Sequence, residues 1–213
     1  MSKLRLHITM SLDGYVAGPD QDEENPLGVG GFELHEWLLP LKEFGQMHGR
    51  AGGETNASSA VVQERWANIG STIMGRNMFG PIRGQWPDDS WRGWWGEDPP
   101  YHHPVFVLTH HRREPIQMQG GTTFEFVTDG IESALAKAKD AAQGGDVWLA
   151  GGASVVNQYL AAGLVDEIDV SIAPMLLGGG ERLFDGLERD SIKLTQLRAV
   201  DAPGVTHVKY RVG

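Results

Sequence analysis

The sequence predicts an α/β protein whose sheet carries helices on both faces and has a mixed edge. Two observations lead to this class. Short apolar segments of strand type alternate with segments of helical periodicity along most of the chain, as in βα units. The last two strand-like segments, 192–200 and 205–212, follow each other directly across a Pro-Gly turn, which predicts a terminal antiparallel pair.

The first half of the chain contains alternation, turn residues and helical spacing. Apolar residues at every second position from Leu4 to Met10 predict a strand, and Asp13-Gly14 predicts the turn after it. Pro40 is expected to bend or split a helix. The elements predicted here are a strand over 4–10, a mobile loop over 19–31, a helix over 34–44, a loop over 45–57, a helix over 61–69, a strand over 71–74, a helix start over 76–81 and a loop over 85–100.

The second half repeats the alternation of strands and helices. Asp129 is followed three residues later by Glu132, so we expect Asp129 to be the N-cap of a helix that runs to the Gly144-Gly145 stop. The other elements predicted are strands over 105–108, 124–127, 147–150 and 167–173, and a helix over 154–162 that Gly163 ends.

Composition restricts the class of protein. A chain of 213 residues can bury a full core, and we expect a single domain over 1–213. The formal net charge of -10 argues against nucleic acid as a partner, because no basic surplus is available to neutralise phosphates. There is no cysteine, no apolar run of about 18 residues and no signal-peptide pattern at the start, so we expect a cytoplasmic protein that does not cross a membrane.

Three segments place phosphate-binding chemistry at predicted strand ends. Met74-Gly75-Arg76 joins a backbone turn to a guanidinium, which suits a phosphate such as the 2′-phosphate of NADPH, although a plain turn with a solvated arginine is an equal alternative. The segment 150–154 contains paired glycines that permit close approach to a pyrophosphate or tight packing of a helix. Residues 108–113 follow a buried strand, where α/β sheets bind ligands, but could be a solvated loop.

Other features leave alternatives open or point away from a site. Four of the seven tryptophans lie in the loop over 85–100, where they could stack on a flat heterocyclic substrate or cover a core edge or subunit contact. The histidine pairs at 102–103 and 110–111 do not predict a metal site, because adjacent residues rarely face one ion.

Five segments together resemble the dihydrofolate reductase superfamily, and in particular the reductase domain at the C-terminus of the bacterial riboflavin-pathway deaminase-reductase and its stand-alone relatives. The resemblance implies a dihydrofolate reductase-like three-layer α/β/α fold, with a mixed, mostly parallel central sheet and a C-terminal antiparallel hairpin. The segments, in the order of the family, are Met10-Ser11-Leu12-Asp13-Gly14, Ile73-Met74-Gly75-Arg76, Val107-Leu108-Thr109, Ala150-Gly151-Gly152-Ala153-Ser154 and Pro174-Met175-Leu176-Leu177-Gly178-Gly179-Gly180.

The resemblance also implies that NADPH is the cofactor. Gly75 and Arg76 would hold its 2′-phosphate and pyrophosphate region, and the turn at Asp13 would begin the loop that folds over the nicotinamide. Thr109 and His110 would flank the adenine side, and the segment 151–155 would cradle the pyrophosphate and nicotinamide ribose. The implied cofactor-binding residues are Asp13, Gly14, Gly75, Arg76, Leu108, Thr109, His110, Gly151, Gly152, Ala153, Ser154 and Val155.

One departure from the family concerns the substrate. Dihydrofolate reductases carry an acidic residue on the first helix after a Pro-Trp element, and the region 31–37 lacks that element. Glu33, Glu36, His35 and water are the candidate proton sources, and the spacing singles out none of them. We expect hydride transfer to a C=N or C=O of a small heterocycle, as by 5-amino-6-(5-phosphoribosylamino)uracil reductase of riboflavin biosynthesis. The alternatives are reduction of a pterin or dihydrofolate, and non-catalytic binding of NADPH.

Related domains commonly form dimers, so a homodimer is a further expectation. The apolar residues Ile168, Val170 and Ile172 could be the edge at which two copies meet, or they could belong to an internal strand.

Overall fold

A central sheet of nine strands organises the fold. The structure is a computed structural model that describes residues 2–188 and 191–213. The strands are β1 (Leu4–Ser11), β2 (Tyr15–Ala17), β3 (Ile69–Gly75), β4 (Pro104–Leu108), β5 (Ile116–Gln117), β6 (Thr123–Val127), β7 (Asp146–Gly151), β8 (Glu167–Ala173), β9 (Glu181–Arg182), β10 (Leu194–Ala202) and β11 (Val205–Val212). The order in the large sheet is β10-β11-β8-β1-β7-β3-β4-β6-β5, while β2 and β9 pair separately. The strands from β8 to β6 pair in parallel, and β5, β11 and β10 pair antiparallel to their neighbours. The mixed, mostly parallel sheet and its terminal hairpin are confirmed.

Helices cover both faces of this sheet, as predicted. They are α1 (Lys42–Met47), α2 (Ala57–Trp66), α3 (Arg76–Phe79), α4 (Ile131–Ala141) and α5 (Ala153–Ala161), and 3-10 turns span Gly31–His35 and Gln119–Gly121. Residues of α4 and α5 pack on an apolar face that includes Leu6, Ile73 and Leu149. On the other face, α2 lies over β8, β10 and β11. No helix in residues 2–188 and 191–213 is both long and apolar enough to span a membrane.

The face beneath α2 is buried but polar. Asp169 of β8 accepts hydrogen bonds from Arg65 Nη2 at 2.5 Å and from Arg198 Nη2 at 2.9 Å. Ser171, two residues further along β8, bonds to Arg65 at 2.8 Å and to His207 Nδ1 at 2.8 Å. Buried charges are tolerated when they are paired in this way. The alternation over 4–10 therefore marks two buried faces of β1, one apolar and one polar, rather than a buried and an exposed face.

Two helix starts differ from the predictions because of their caps. The α2 helix begins at Ala57, inside the predicted loop, because the Asn56 side chain accepts from Ser58 N at 2.8 Å and Ser59 Oγ accepts from Asn56 N at 3.3 Å. Such a capping box stabilises a helix by about 1 kcal/mol. The N-cap of α4 is Gly130, with a φ of 95°, so the prediction of Asp129 as N-cap was wrong by one residue.

The predicted helix over 34–44 is divided in two. The 3-10 turn ends at His35 and α1 begins at Lys42, with Pro40 between them. Proline has no backbone N–H to donate and its ring excludes the helical conformation of the residue before it, which explains the break. The sequence did not indicate β2, β5 or β9, since strands of two or three residues are too short to show alternation.

The segment 168–172 is an internal strand and not a dimer edge. It belongs to β8, which pairs with β1 on one side and β11 on the other. The suggestion that Ile168, Val170 and Ile172 form a subunit contact was therefore wrong. The edge of the sheet on this side is β10.

Candidate functional site

A cavity of about 650 Å³ opens at the carboxyl ends of five adjacent strands. Five strands at a spacing of about 4.8 Å span roughly 19 Å, so the cavity is elongated across the sheet. Open α/β sheets bind ligands at this edge, and a volume of several hundred Å³ is typical of small-molecule sites. The strand residues in its wall, in sheet order from β1 to β6, include Thr9, Ala150, Gly75, Leu108 and Val127.

Two helix starts open onto one end of the cavity, which we call the helix-start end; it also includes Gly75, Arg76 and Thr109. Gly130 and Ile131 lie in the wall where α4 begins, and Gly152 and Ala153 lie in the wall where α5 begins. Neither helix has a side chain that caps its first amide groups. These N–H groups have no partner within the helix, and together with the helix dipole they favour an anion.

The two glycines at this end have different roles. A Cβ on Gly75 would come within 2.7 Å of Val155 Cγ2, so this glycine lets α5 pack closely against the end of β3. A Cβ on Gly152 would meet no atom within 4 Å, so the absence of a side chain there leaves open space. Tight packing therefore explains Gly75, whereas at Gly152 the structure leaves room for a ligand beside the backbone.

Arg76 is a nearly buried cation with unused hydrogen-bond donors. Its Nη1 donates to Gly84 O, and its guanidinium lies 3.7 Å from the centre of the Trp86 ring. Its Nε and Nη2 atoms are buried and have no hydrogen-bond partner in the described parts of the chain. A buried donor without a partner is costly, so an anion that accepted these bonds would stabilise the site.

The surroundings of Arg76 are positive although the whole chain is acidic. Burial, with added repulsion from Arg83 and Arg113, lowers the pKa of Arg76 below its ordinary value. Arg113 lies 4.6 Å from the same Trp86 ring, and its nearest carboxylate is the exposed Asp89 at 3.5 Å. The described residues contain no group of three or more His, Asp or Glu that could hold a metal ion. This end is suited to a phosphate.

The opposite end, which we call the loop end, is formed by side chains from residues 16–35 and by Trp94 and Trp95. Its wall is mainly apolar, with Val16, Leu27 and Phe32 among its members. Trp95 packs against Tyr101 at 5.1 Å between ring centres, and Tyr101 lies 6.0 Å from Trp148 of β7. These contacts hold the tryptophan loop against the sheet, so the loop end has a fixed aromatic surface.

His35 is the titratable side chain that the 3-10 turn adds to the loop end. Burial lowers the pKa of His35 to about 4, and a hydrogen bond with the backbone of Gly31 only partly offsets this shift. The imidazole is therefore neutral at physiological pH. Its Nδ1 is buried, and the imidazole is part of the cavity wall.

The structure brings most of the predicted cofactor residues into one wall. The predicted residues that line the cavity are Gly75, Arg76, Leu108, Thr109, His110, Gly152, Ala153, Ser154 and Val155. Gly151 ends β7 beside them but does not line the cavity, and Asp13 and Gly14 lie outside it. Asp13 instead accepts hydrogen bonds from Leu177 N at 3.1 Å and Gly178 N at 2.8 Å. A hydrogen bond from the Ser11 side chain is the main cause of the lowered pKa of Asp13. The charged Asp13 carboxylate thus holds the backbone of the loop at Leu177 and Gly178.

Of the three candidate proton sources on the chain, only His35 lies in the cavity wall. Glu33 and Glu36 are exposed and do not line the cavity.

The tryptophan loop covers an edge of the core and also lines the cavity. Trp86, Trp91 and Trp95 pack on the core of the sheet around Phe79 and Phe124. Trp94 and Trp95 also line the cavity. Trp86 and Trp91 thus pack on the core, Trp94 lines the cavity, and Trp95 does both.

Two cavity residues were missed because no sequence pattern joins them. Arg83 Nη2 donates to Gln21 Oε1 at 3.3 Å, which connects the loop after α3 to the loop after β2. The two residues are 62 positions apart, and each stands in an irregular segment. Phe32 was likewise missed, because its exposure is evident only from the structure.

Known proteins share parts of this sequence and the whole of its fold. The chain is 32% identical over 119 residues to the uncharacterized protein YyaP of Bacillus subtilis (strain 168), and the match covers 54% of this chain and 62% of YyaP. It thus spans less than two thirds of that relative.

Two solved structures show the fold. A protein of Shewanella sp. PV-4 named for riboflavin biosynthesis has a TM-score of 0.62 at 22% identity and is covered over 99% of its length by all of this chain. The dihydrofolate reductase of Enterococcus faecalis, complexed with NADP(H), has a TM-score of 0.51 at 14% identity, with 99% of this chain and 96% of that chain covered.

The family match is more extensive than the match to YyaP. Residues 2–206 match the family described as the RibD C-terminal domain. This range includes every strand and helix that lines the cavity. The chain therefore belongs to the RibD C-terminal domain family.

Proposed function

We propose that this protein is an NADPH-dependent reductase that transfers hydride to a C=N or C=O of a small heterocyclic substrate. The observation that carries the proposal is Arg76, a nearly buried cation in the wall of a cavity that two uncapped helix starts also line. Two of its donor atoms have no hydrogen-bond partner among the described residues. The dihydrofolate reductase of Enterococcus faecalis, which shares the fold, was solved with NADP(H). Family membership adds the resemblance to the riboflavin-pathway reductase.

The residues of the chain would position the two partners and exclude water from the space between them. The starts of α4 and α5 would hold the pyrophosphate, and Arg76 the 2′-phosphate. When bound, the cofactor supplies the hydride, which is the demanding part of the chemistry. The apolar wall around Val16 and Phe32 would keep bulk water away from the reacting carbon.

The proton that completes the reduction comes from solvent in this proposal. Burial lowers the pKa of His35 to about 4, so the imidazole has no acidic proton to give at neutral pH. The two exposed glutamates, Glu33 and Glu36, do not line the cavity. His35 would instead orient the substrate by a hydrogen bond.

Arg76→Ala tests the cofactor assignment. A hydrogen bond to a charged group contributes about 1.5–3 kcal/mol, so the affinity for NADPH should fall about tenfold or more. The affinity for NADH, which lacks the 2′-phosphate, should change less than twofold. Both are measured by calorimetric titration, with Arg92→Ala as the control, because Arg92 is exposed and does not line the cavity. Equal losses for the two cofactors would remove Arg76 from the 2′-phosphate site.

Turnover of NADPH by the wild type distinguishes a reductase from a protein that only binds NADPH. The wild type is incubated with NADPH and either 5-amino-6-(5-phosphoribosylamino)uracil, its dephosphorylated riboside or dihydrofolate, and the absorbance of NADPH is followed. Steady consumption with one of these supports a reductase. Tight binding of NADPH without consumption on any of them supports a binding protein.

A further inference from the structure

We infer that Trp86 is a positioning residue for the cofactor: its ring holds the Arg76 guanidinium by one face, which leaves the edge with Nε and Nη2 free for the 2′-phosphate. This inference rests on the proposed function and names a residue outside the cavity that sets its preference for NADPH over NADH. Trp86 does not line the cavity, so it acts through Arg76 and not by touching the ligand.

The Trp86 ring holds the cation without neutralising it. The Arg76 guanidinium lies 3.7 Å from the centre of the ring, which is direct contact with the ring face. The attraction of a guanidinium to an aromatic face is electrostatic and uses none of its N–H donors. A carboxylate in the same place would cancel the charge and accept those hydrogen bonds. None of the ion pairs in residues 2–188 and 191–213 includes Arg76.

The donors that remain on Arg76 are arranged for one phosphate. Gly84 O accepts from Nη1, whereas Nε and Nη2 are buried and have no hydrogen-bond partner in the described parts of the chain. These two atoms lie on the same side edge of the planar guanidinium, and such an edge binds two oxygens of one phosphate. A two-point contact requires a fixed guanidinium plane, and stacking on a flat ring fixes that plane.

The Trp86 ring is itself held by the ends of two strands. Its indole N–H donates to His111 O at 3.1 Å, in the loop after β4, and the ring meets Phe126 of β6 edge to face at 5.4 Å. Arg113 lies over the same ring at 4.6 Å and does not line the cavity. It brings a second positive charge close to Arg76, which strengthens the attraction for an anion there. The position of the ring is therefore set by the fold before a ligand arrives.

Trp86→Leu tests the inference through the ratio of two affinities. NADPH and NADH are titrated by calorimetry into the full chain, and the ratio of their dissociation constants isolates the contribution of the 2′-phosphate. Loss of the ring should weaken NADPH about five- to tenfold and NADH less than about twofold, because only the 2′-phosphate needs an aligned Arg76. A ratio within threefold of the wild type overturns the inference, since a merely structural residue would change both affinities together.

Trp86→Phe is the conservative variant, because it keeps an aromatic face beside Arg76. Its ratio should stay within threefold of the wild type. A loss as large as that in Trp86→Leu would show that the aromatic face is not what aligns the guanidinium, and the inference would fail.

Trp91→Leu is the matched control. Trp91 is in the same loop, packs on the same core cluster and does not line the cavity. It also loses an indole hydrogen bond of 3.1 Å, to Phe79 O, but none of the described guanidiniums lies over its ring. We expect its ratio to stay within twofold of the wild type. A ratio lowered as much as in Trp86→Leu would overturn the inference, because any disturbance of the loop would then have the same effect.

Arg76→Ala shows whether Trp86 acts through the guanidinium. In that background, Trp86→Leu should change NADPH affinity less than twofold, since the two residues are coupled and the first change already removes what the ring holds. A further loss of threefold or more contradicts the inference.

Circular dichroism shows whether Trp86→Leu is folded. If it is not, the indole N–H resonance of Trp86 is followed in the wild type, where its absence from Trp86→Phe assigns it. This resonance should shift more with NADPH than with NADH, and equal shifts overturn the inference. A wild type that binds the two cofactors equally contradicts the proposed 2′-phosphate site itself. A wild type that prefers NADPH, with a ratio that Trp86→Leu leaves unchanged, contradicts only the role of Trp86.

Discussion

The helix-start end and the loop end of the cavity are built from different kinds of parts. The helix-start end consists of backbone at strand ends, two uncapped helices and a buried cation. The loop end consists of side chains from β2, the 3-10 turn and irregular segments, and it is mainly apolar. Backbone groups at a strand end are fixed by the sheet, whereas loop side chains change with little effect on the core. The first kind of surface suits a ligand shared by a family, and the second suits a ligand particular to one member.

The largest expected effect is a loss of NADPH affinity from a substitution at the start of α5, which should leave binding at the loop end unchanged. Gly152→Asp places a carboxylate in the open space beside the supposed pyrophosphate, and like charges this close cost several kcal/mol. NADPH affinity should fall on the order of 100-fold, while the affinity for 5-amino-6-(ribosylamino)uracil on the protein alone stays within threefold.

Gly179→Asp is the control for that variant, because a Cβ at Gly179 also meets no atom within 4 Å but the residue does not line the cavity. Both variants are compared by calorimetry and thermal melting. Unchanged NADPH affinity in Gly152→Asp would show that the helix-start end does not hold the cofactor.

An intermediate effect is expected from Phe32→Ser at the loop end. Loss of the ring should weaken the uracil riboside about five- to tenfold and leave NADPH affinity within twofold. Because Phe32 is largely exposed, the free energy of unfolding should change by no more than about 0.5 kcal/mol. Leu176→Ser, which removes an even more exposed apolar side chain outside the cavity, should alter neither affinity. A parallel loss of NADPH affinity in the Phe32 variant would mean that the two ends are not separate sites.

The smallest effect is a difference in pH dependence. The second proton of a phosphate monoester binds with a pKa of about 6, so NADPH affinity should fall a few-fold between pH 7 and pH 5, and NADH affinity should not. Binding of the uracil riboside should be flat over this range, because the pKa of His35 is lowered to about 4 and the imidazole stays neutral. Titrations at pH 5, 6, 7 and 8 measure this difference. A loss of riboside affinity that begins near pH 6.5 would show that His35 titrates normally.

Folding must be monitored in that series. Burial lowers the pKa of His35, His103 and His207 to about 4 in the folded protein. The unfolded chain therefore takes up protons at these sites first, near pH 6.5, and stability falls as the pH drops from there toward 4. The free energy of unfolding is therefore not reduced by these histidines above about pH 6.5. Circular dichroism at pH 5 is the control that the protein is still folded there.

The same contrast explains how much could be predicted from the sequence. The helix-start end could be predicted because β3 with α3, and β7 with α5, are contiguous segments in which a strand, a glycine and a helix follow one another. The position of a helix start was wrong by one residue where two adjacent residues can both be the N-cap. Asp129 was predicted, but Gly130 adopts a φ of 95° and takes the N-cap position. The polar face of β1 was also hidden, since Arg5 and His7 alternate with leucines as exposed residues would.

The sequence named the tryptophan loop and His35 as candidates, but their assembly into the loop end could not be predicted, because its contacts are remote along the chain. Gln21 and Arg83 meet across 62 residues, and Trp95 contacts Tyr101, which in turn lies beside Trp148 of β7. No spacing rule connects such positions, since the loops that carry them have no period.

The position of β1 has a consequence for how the protein is made. This N-terminal strand lies in the middle of the sheet, with Leu4 opposite Val147 and Arg5 opposite Glu167. Its partners in the sheet lie more than 140 residues further along the chain, so it has no lasting partner until they have been synthesised. Contacts so distant along the chain slow folding, and an apolar strand that waits unpaired is exposed to aggregation. Thr9, in the cavity wall, thus reaches its place only after Ser171, its partner on β8, has been synthesised.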